Sequence, residues 1–186
     1  MSGQPGGAVP DGGLAGLAEF NGGPGDSIRR VLMSCCSSAR WADAMLAGRP
    51  CDSAGSLLRR SDESVDALTP DDLRAALSGH PRIGERRSEG GSEDGDRAGR
   101  WSRGEQAGMD DAAELTRREL ADGNAAYERR FGHIYLVCAT GRSASELLEL
   151  LRARLAHDDG TEWLVVRSEL KKINRIRLLK LIGEPG

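Results

Sequence analysis

The sequence predicts an all-α, single-domain bundle of about seven or eight helices with one short extended segment. Most of the chain carries apolar residues at helical spacing, and capping or stop residues divide it into separate helices. Only residues 133–139 have a β-like composition, and one isolated segment cannot form a sheet. A length of 186 residues is typical of one domain with its own hydrophobic core.

The N-terminal third is predicted to form a disordered tail followed by short helices. Residues 1–13 are rich in Gly and Pro, so we expect disorder there and place the folded domain at residues 14–183. Asp26 or Ser27 could cap a first helix. Trp41 lies at helical spacing from Met45 in the next helix, which favours a core role over ligand stacking.

Two helix starts follow, and the second helix leads to the most informative stretch. Asp52 or Ser53 could cap a helix that runs to about Leu68. Thr69-Pro70-Asp71-Asp72 begins the next helix with a capping threonine, a proline and two acids at the positive end of the helix dipole. We expect that helix to stop at Ser78-Gly79, which delivers His80.

The longest polar stretch lies at residues 86–100, which are rich in Gly and ionisable side chains and show no periodicity. We expect a flexible loop there, and a lid beside a pocket is the alternative. The helical pattern is strong from Met109 to a glycine stop at Gly132. The capping box Ser143-x-x-Glu146 opens a further helix, and Thr161 begins the last one.

Composition argues against several classes of partner. The net charge of −3 does not favour nucleic acid, and no apolar run is long enough to span a membrane. No N-terminal signal pattern is present, so we expect a cytoplasmic protein. The cysteine spacing fits neither a zinc site nor a disulfide framework, and buried free thiols are expected. These cysteines are Cys35, Cys36, Cys51 and Cys138.

His80 and Glu105 are the candidate catalytic residues, because one precedes the polar loop and the other follows it. Pro81 keeps His80 out of helical geometry, which would present the imidazole rigidly into a cleft. Ser102, Glu105 and Gln106 would share one helix face and could grip a small polar ligand. The alternative is that Ser102 and Glu105 form only a capping box.

Arg177 lies among apolar residues of the last helix, where its guanidinium either reaches solvent past the leucines or forms a buried anion site. Arg142 and Arg154 are candidates for structural ion pairs. No His, Cys, Asp or Glu residues have metal-ligand spacing, and no nucleotide-binding motif is present. We therefore expect chemistry without a metal or an organic cofactor.

The polar motifs occur in an order that resembles a known family. These motifs are His80-Pro81-Arg82-Ile83-Gly84-Glu85, Trp101-Ser102-x-x-Glu105-Gln106, Asn124-x-x-Tyr127-x-x-x-Phe131-Gly132, Arg154 and Lys172-Ile173-x-x-x-Arg177-Leu178. Together they are similar to 2-oxo-4-hydroxy-4-carboxy-5-ureidoimidazoline (OHCU) decarboxylase of urate degradation. The resemblance covers residues 17–182, which is nearly the whole chain.

The resemblance implies an all-α fold, usually a homodimer, that releases CO2 from OHCU to give (S)-allantoin without a cofactor. It implies His80 and Glu105 as the catalytic pair. It also implies substrate contacts from the remaining candidate residues, with main-chain groups supplying those of the extended segment. These residues are Pro81, Ser102, Gln106, Leu136, Val137, Cys138, Ala139 and Arg177.

Two other functions remain as alternatives. One is a catalytically silent helical interaction module that associates with other urate-pathway enzymes, such as hydroxyisourate hydrolase. The other is a helical DNA-binding regulator, which the negative charge and the lack of a basic recognition helix disfavour. Retention of His80, Glu105, Gln106 and Arg177 together favours the decarboxylase.

Overall fold

The computed structural model describes residues 16–83 and 114–184, and within these ranges it contains eight helices and no strand. The prediction of an all-α domain is therefore confirmed. The predicted tail at residues 1–13 and the predicted loop at residues 86–100 lie outside the described residues. The helices are α1 Leu17–Gly22, α2 Gly25–Cys35, α3 Ala39–Ala47, α4 Ala54–Asp66, α5 Pro70–Ser78, α6 Glu114–Phe131, α7 Ala144–Arg154 and α8 Asp159–Leu181.

Local capping explains where several helices begin and end. Ser53, Thr69 and Ser143 each accept a hydrogen bond from a backbone N–H of the first turn, and all three form capping boxes. Pro70 occupies the first turn of α5, where its missing N–H costs no hydrogen bond. Gly132 follows α6 with φ of 71°, a conformation that favours glycine. These predicted boundaries are confirmed.

Other boundaries differ from the prediction. The cap of α2 is Pro24 rather than Asp26 or Ser27, and no side chain bonds to this helix end. Helix α8 begins at Asp159 rather than at Thr161, because Asp158 Oδ1 accepts a hydrogen bond of 2.8 Å from the Thr161 amide. Two additional residues therefore join the first turn of α8.

The helices enclose two hydrophobic clusters. The larger cluster is built by α1–α5 together with α8, and α4 packs along α8. The smaller cluster is built mainly by α6 and α7, which pack against each other. Gly123 permits this approach, since a Cβ at that position would lie 2.5 Å from Leu151 Cδ2.

The segment at residues 133–139 passes between the two clusters. Ile134, Leu136 and Cys138 pack on the larger cluster. Tyr135, Val137 and Ala139 belong to the smaller one. This alternation is the period of two expected of an extended chain, although the segment pairs with no described strand. The predicted extended segment therefore packs between the two hydrophobic clusters and separates them.

The remaining core predictions are confirmed. Trp41 is fully buried, and its Nε1 donates a hydrogen bond of 3.3 Å to Ser61 Oγ, so it is a core residue. All four cysteines are buried, and none forms a disulfide. Within the described ranges, no helix combines the length and the apolar character needed to cross a membrane.

Candidate active site

His80 lies two residues after the end of α5 and is buried, with 9% of its surface exposed. Its Nδ1 atom is 3.0 Å from the carbonyl oxygen of Ala76, one turn earlier. Its Nε2 atom is 3.1 Å from Nη1 of Arg177, which α8 contributes from the other side of the core. Both ring nitrogens of His80 therefore have defined partners.

The partners assign the tautomer of the imidazole. Because a guanidinium can only donate, Nε2 of His80 must accept, and Nδ1 must carry the proton that is donated to Ala76. Burial lowers the pKa of His80 from 6.5 to about 3, and the positive charge of Arg177 acts in the same direction. At neutral pH His80 is thus an uncharged imidazole whose Nε2 lone pair points at a cation.

Arg177 is the second buried polar residue of the site, with 2% of its surface exposed. Its Nη1 also donates a hydrogen bond of 2.9 Å to the carbonyl oxygen of Cys35, at the end of α2. The guanidinium therefore does not reach solvent. Of the two positions that the sequence allowed for it, the buried one is correct. A buried guanidinium of this kind can pair with an anionic group of a ligand.

The residues after His80 are fixed from α6. Asn124 is buried, and its Nδ2 donates a hydrogen bond of 2.8 Å to the carbonyl oxygen of Ile83. Arg82 forms a two-bond ion pair with the carboxylate of Glu128. The turn at residues 80–83 is consequently held by α8 at one end and by α6 at the other.

This turn and the extended segment line a small cleft. The described walls enclose about 20 Å³, which is room for about one water molecule. The lining residues are His80, Pro81, Ile83, Tyr135, Leu136, Val137 and Ile173. The structure thus brings together His80 and three of the predicted substrate-contacting residues, Pro81, Leu136 and Val137.

The other predicted residues are placed differently. Cys138 and Ala139 do not line the cleft, and the Cys138 amide donates a hydrogen bond of 2.8 Å to Glu169 Oε2. Ser102, Glu105 and Gln106 lie outside the described residues. Their proximity to His80 stays a prediction.

Sequence reasoning missed a buried polar network behind the extended segment. Glu162 accepts hydrogen bonds from the hydroxyl of Tyr127 and from Arg154, and its other oxygen is 2.8 Å from Nδ1 of His157. The predicted ion pair of Arg154 is confirmed. Burial and the neighbouring Glu162 raise the pKa of Tyr127, so this phenol stays protonated.

A signal for these acids was present in the sequence. Glu162, Glu169 and Ile173 follow one another at spacings of seven and four residues, so both acids share the inward face of α8. An acid on such a face requires a buried partner, and Arg154 was available as one. Arg142, the other residue proposed for an ion pair, forms none within the described ranges.

A larger cavity of about 230 Å³ shares Val137 with the cleft as a lining residue. Arg142, Arg154, His157 and Glu169 contribute its polar wall. Apart from Val137 it contains no predicted site residue. We assign the active site to the cleft because that is where His80 lies, close to Arg177.

No group of His, Cys, Asp and Glu side chains that could hold a metal ion occurs in the described part of the chain. The cleft is lined by the neutral imidazole of His80, and the buried guanidinium of Arg177 contacts that imidazole. That set can bind a small anionic molecule rich in amide groups and can exchange protons with it.

Comparisons with known proteins agree with this description. The chain is 29% identical over 150 residues to the uric acid degradation bifunctional protein TTL of Arabidopsis thaliana, covering 81% of this chain and 46% of that protein. It is 30% identical over 149 residues to 2-oxo-4-hydroxy-4-carboxy-5-ureidoimidazoline decarboxylase of Amia calva, covering 78% and 81%. The chain thus spans about half of the plant protein and most of the fish protein.

A solved structure shares the fold. The crystal structure of OHCU decarboxylase in the presence of (S)-allantoin superposes with a TM-score of 0.69 at 23% identity, covering 83% of this chain and 99% of that one. The OHCU decarboxylase family model matches residues 21–179, which is most of the sequence. The chain belongs to the OHCU decarboxylase family.

Proposed function

We propose that this protein is a carboxy-lyase that converts OHCU to (S)-allantoin in urate degradation. Family membership supports the proposal, as does the similarity to a decarboxylase of Amia calva across most of that protein. The observation that carries it is the contact between His80 and Arg177 at the cleft, where a proton-exchanging group meets a buried cation. An anionic substrate that must gain or lose a proton suits this pair.

Arg177 is proposed to bind the negative charge of the substrate. OHCU has a carboxylate, and a guanidinium can form paired, charge-assisted hydrogen bonds with such a group. Substrate binding at Arg177 would also change the pKa of His80, because the positive charge of Arg177 contributes to the low pKa of the imidazole. A carboxylate beside Arg177 would offset that charge and raise the proton affinity of His80 as the substrate binds.

The reaction itself needs one bond cleavage and two proton movements. The bond between the hydroxyl-bearing ring carbon and the carboxylate breaks and CO2 leaves, while the electron pair moves into the ring towards the C=N bond of the neighbouring, ureido-bearing carbon. The hydroxyl then loses its proton and becomes a carbonyl, and the ureido-bearing carbon takes a proton, so a fixed donor on one face makes the product stereospecific. We assign the proton transfers to His80 and Glu105, and general acid–base help of this kind contributes about 10²–10⁴-fold. No metal or organic cofactor is invoked.

The remaining residues are proposed to recognise the ring and the ureido group. Ser102 and Gln106 provide hydroxyl and amide groups that can match these donors and acceptors. Pro81 shapes the wall of the cleft, and main-chain groups of the segment Leu136–Ala139 add hydrogen bonds. Leu136 and Val137 are the members of that segment that line the cleft.

The family resemblance supports a proposal for the assembly state. We propose a cytoplasmic homodimer that can associate with hydroxyisourate hydrolase. The bifunctional relative of Arabidopsis thaliana supports the association, because it is about twice as long as the matched region and is named for uric acid degradation. Size-exclusion chromatography with light scattering tests the dimer directly.

The experiment that tests the function follows the circular dichroism of OHCU generated in situ from urate, with and without the protein. Rapid appearance of one allantoin enantiomer is the expected result. Racemic allantoin at the spontaneous rate would contradict the proposal and favour the silent interaction module. Calorimetric titration with (S)-allantoin is an independent check, because neither alternative function requires that pocket.

A further inference from the structure

Within residues 16–83 and 114–184 the extended segment has no neighbouring strand, and two buried side chains bond to its backbone on one edge. Arg154 Nη1 donates a hydrogen bond of 2.7 Å to the carbonyl oxygen of Leu136. Glu169 Oε2 accepts one of 2.8 Å from the Cys138 amide. Arg154 is 4% exposed and Glu169 is 7% exposed, so both side chains are buried.

The geometry of an extended chain determines what the other edge presents. Backbone groups of alternate residues point to opposite edges, so those of Leu136 and Cys138 face the two buried side chains while those of Val137 face away. Within the described ranges, no hydrogen bond reaches the N–H or C=O of Val137. Val137 is nevertheless buried and lines the cleft with His80.

Buried backbone groups normally have hydrogen-bond partners, because their desolvation is costly, and the Val137 groups have none among the described residues. Such groups beside a ligand cleft are suited to form hydrogen bonds with the ligand. An amide-rich ring offers the complementary donors and acceptors. The N–H and C=O of Val137 can bind a ligand in the cleft only if the segment is held in one orientation about its long axis.

Both buried side chains are themselves held in place. Arg154 Nε donates a hydrogen bond of 2.9 Å to Glu162 Oε1, which fixes the guanidinium. Lys172 Nζ is 2.6 Å from the second oxygen of Glu169. Arg154 reaches the segment from α7, whereas Glu169 reaches it from α8, so the edge is held at two points from two helices.

We propose that Arg154 and Glu169 are positioning residues that orient the extended segment so that the Val137 N–H and C=O bind the substrate. This inference rests on the proposed decarboxylase function. Neither residue contacts the cleft side of the segment; each acts through a backbone group of the segment. Arg154 and Glu169 thereby increase the affinity for substrate and take no part in the proton transfer.

Glu169 is the better residue for a test, because its loss leaves the buried pair of Arg154 and Glu162 intact. Glu169→Ala removes the acceptor for the Cys138 amide, whereas Glu169→Gln keeps an oxygen there. We expect Glu169→Ala to raise KM for OHCU by about 10- to 100-fold, with a smaller change in kcat. We expect Glu169→Gln to restore KM to within a few-fold of the wild-type value.

Two controls separate positioning from general loss of structure. Lys171→Ala, on the same helix but paired with Asp66 at the surface, should leave KM unchanged. Ser61→Ala removes the buried partner of Trp41, and since neither residue lines the cleft we expect a variant that is destabilised without a direct effect on the site. A structural defect alone lowers the active fraction and therefore kcat, while KM stays the same.

The amide signal of Val137 in a ¹H–¹⁵N spectrum provides a readout that does not depend on turnover. On addition of (S)-allantoin it should shift in the wild type and in Glu169→Gln, but not in Glu169→Ala. If the wild type binds allantoin and Glu169→Ala has the same KM and the same Val137 shift, the positioning proposal is wrong. If the wild type neither turns over OHCU nor binds allantoin, the decarboxylase function itself fails.

Discussion

Nη1 of Arg177 lies 3.1 Å from Nε2 of His80, although 97 positions separate the two residues in the sequence. Because the guanidinium can only donate, this contact and the one to Ala76 fix the tautomer of the imidazole. Burial and the neighbouring cation keep His80 uncharged. The ionisation of the imidazole therefore depends on the charge at Arg177.

Replacing His80 by Asn should abolish most of the activity while the fold is kept. The Asn amide can still donate to the Ala76 carbonyl, but it has no atom at the position of Nε2. We expect turnover of OHCU to fall by about 10²–10⁴-fold, measured as the rate of allantoin formation. The matched control is His133→Asn, since His133 is equally buried at 9% exposure but packs on Trp163. Equal losses in both variants would contradict a catalytic role for His80.

Removing the charge of Arg177 should raise the pKa of His80. In Arg177→Met the Coulombic contribution is lost, so the pKa should move up from about 3, while burial still keeps it below 6.5. An NMR titration of the imidazole measures the change. Arg175→Met, on the same helix but paired with Asp62 near the surface, should leave that pKa where it was. An unchanged His80 pKa in Arg177→Met would show that burial alone sets it.

The buried neutral His80 should make stability fall as the solution becomes mildly acidic. The pKa of His80 is lower in the folded state than the usual 6.5, so between about 3 and 6.5 the unfolded chain binds a proton that the folded chain does not. Stability is therefore complete above about pH 6.5 and decreases below it. From about pH 7 to about pH 5.5, this one group should cost about 1 kcal/mol of unfolding free energy.

Urea unfolding of the wild type and of His80→Asn over this pH range measures the difference between them. The variant should lose less stability on acidification, by about the same 1 kcal/mol. Parallel curves for the two proteins would mean that His80 is protonated, or exposed, in the folded state.

A close backbone contact just before His80 provides a test of the turn geometry. A Cβ on Gly79 would lie 1.8 Å from Ser37 Oγ and 2.8 Å from Ser37 Cβ. The Gly79 φ of −86° is accessible to alanine, so only this contact opposes the substitution. We expect Gly79→Ala to cost about 1–3 kcal/mol and to lower activity by displacing His80.

The double variant Ser37→Gly with Gly79→Ala removes both clashing atoms and should recover most of the activity and stability. Ser37→Gly alone is the control and should behave nearly as the wild type. If the double variant is as impaired as Gly79→Ala, the defect arises from the backbone rather than from the contact with Ser37.

The cysteines should be inert in the folded protein. All four thiols are buried, and burial raises the pKa of Cys36 to about 11, so the reactive thiolate form is scarce. A thiol reagent such as Ellman's reagent at about pH 8 should label none of them until guanidinium unfolds the chain. Rapid labelling of one cysteine under native conditions would contradict this description.

The sequence by itself determined the helices and several of their ends. The capping boxes at Ser53, Thr69 and Ser143 and the glycine stop at Gly132 act within about one turn of the chain, so they can be identified without the fold. The alternation at residues 133–139 is equally local. The family resemblance also required only the order of the motifs along the chain.

Tertiary structure alone decided which residues meet. Three features join distant parts of the chain. His80 contacts Arg177, and the extended segment passes between two cores. Arg154 and Glu169 form hydrogen bonds with the backbone of that segment. Spacing could not distinguish a buried Arg177 from one that reaches solvent, because both occur on an apolar helix face. Burial decides between them, and burial is a property of the packed molecule rather than of any one helix.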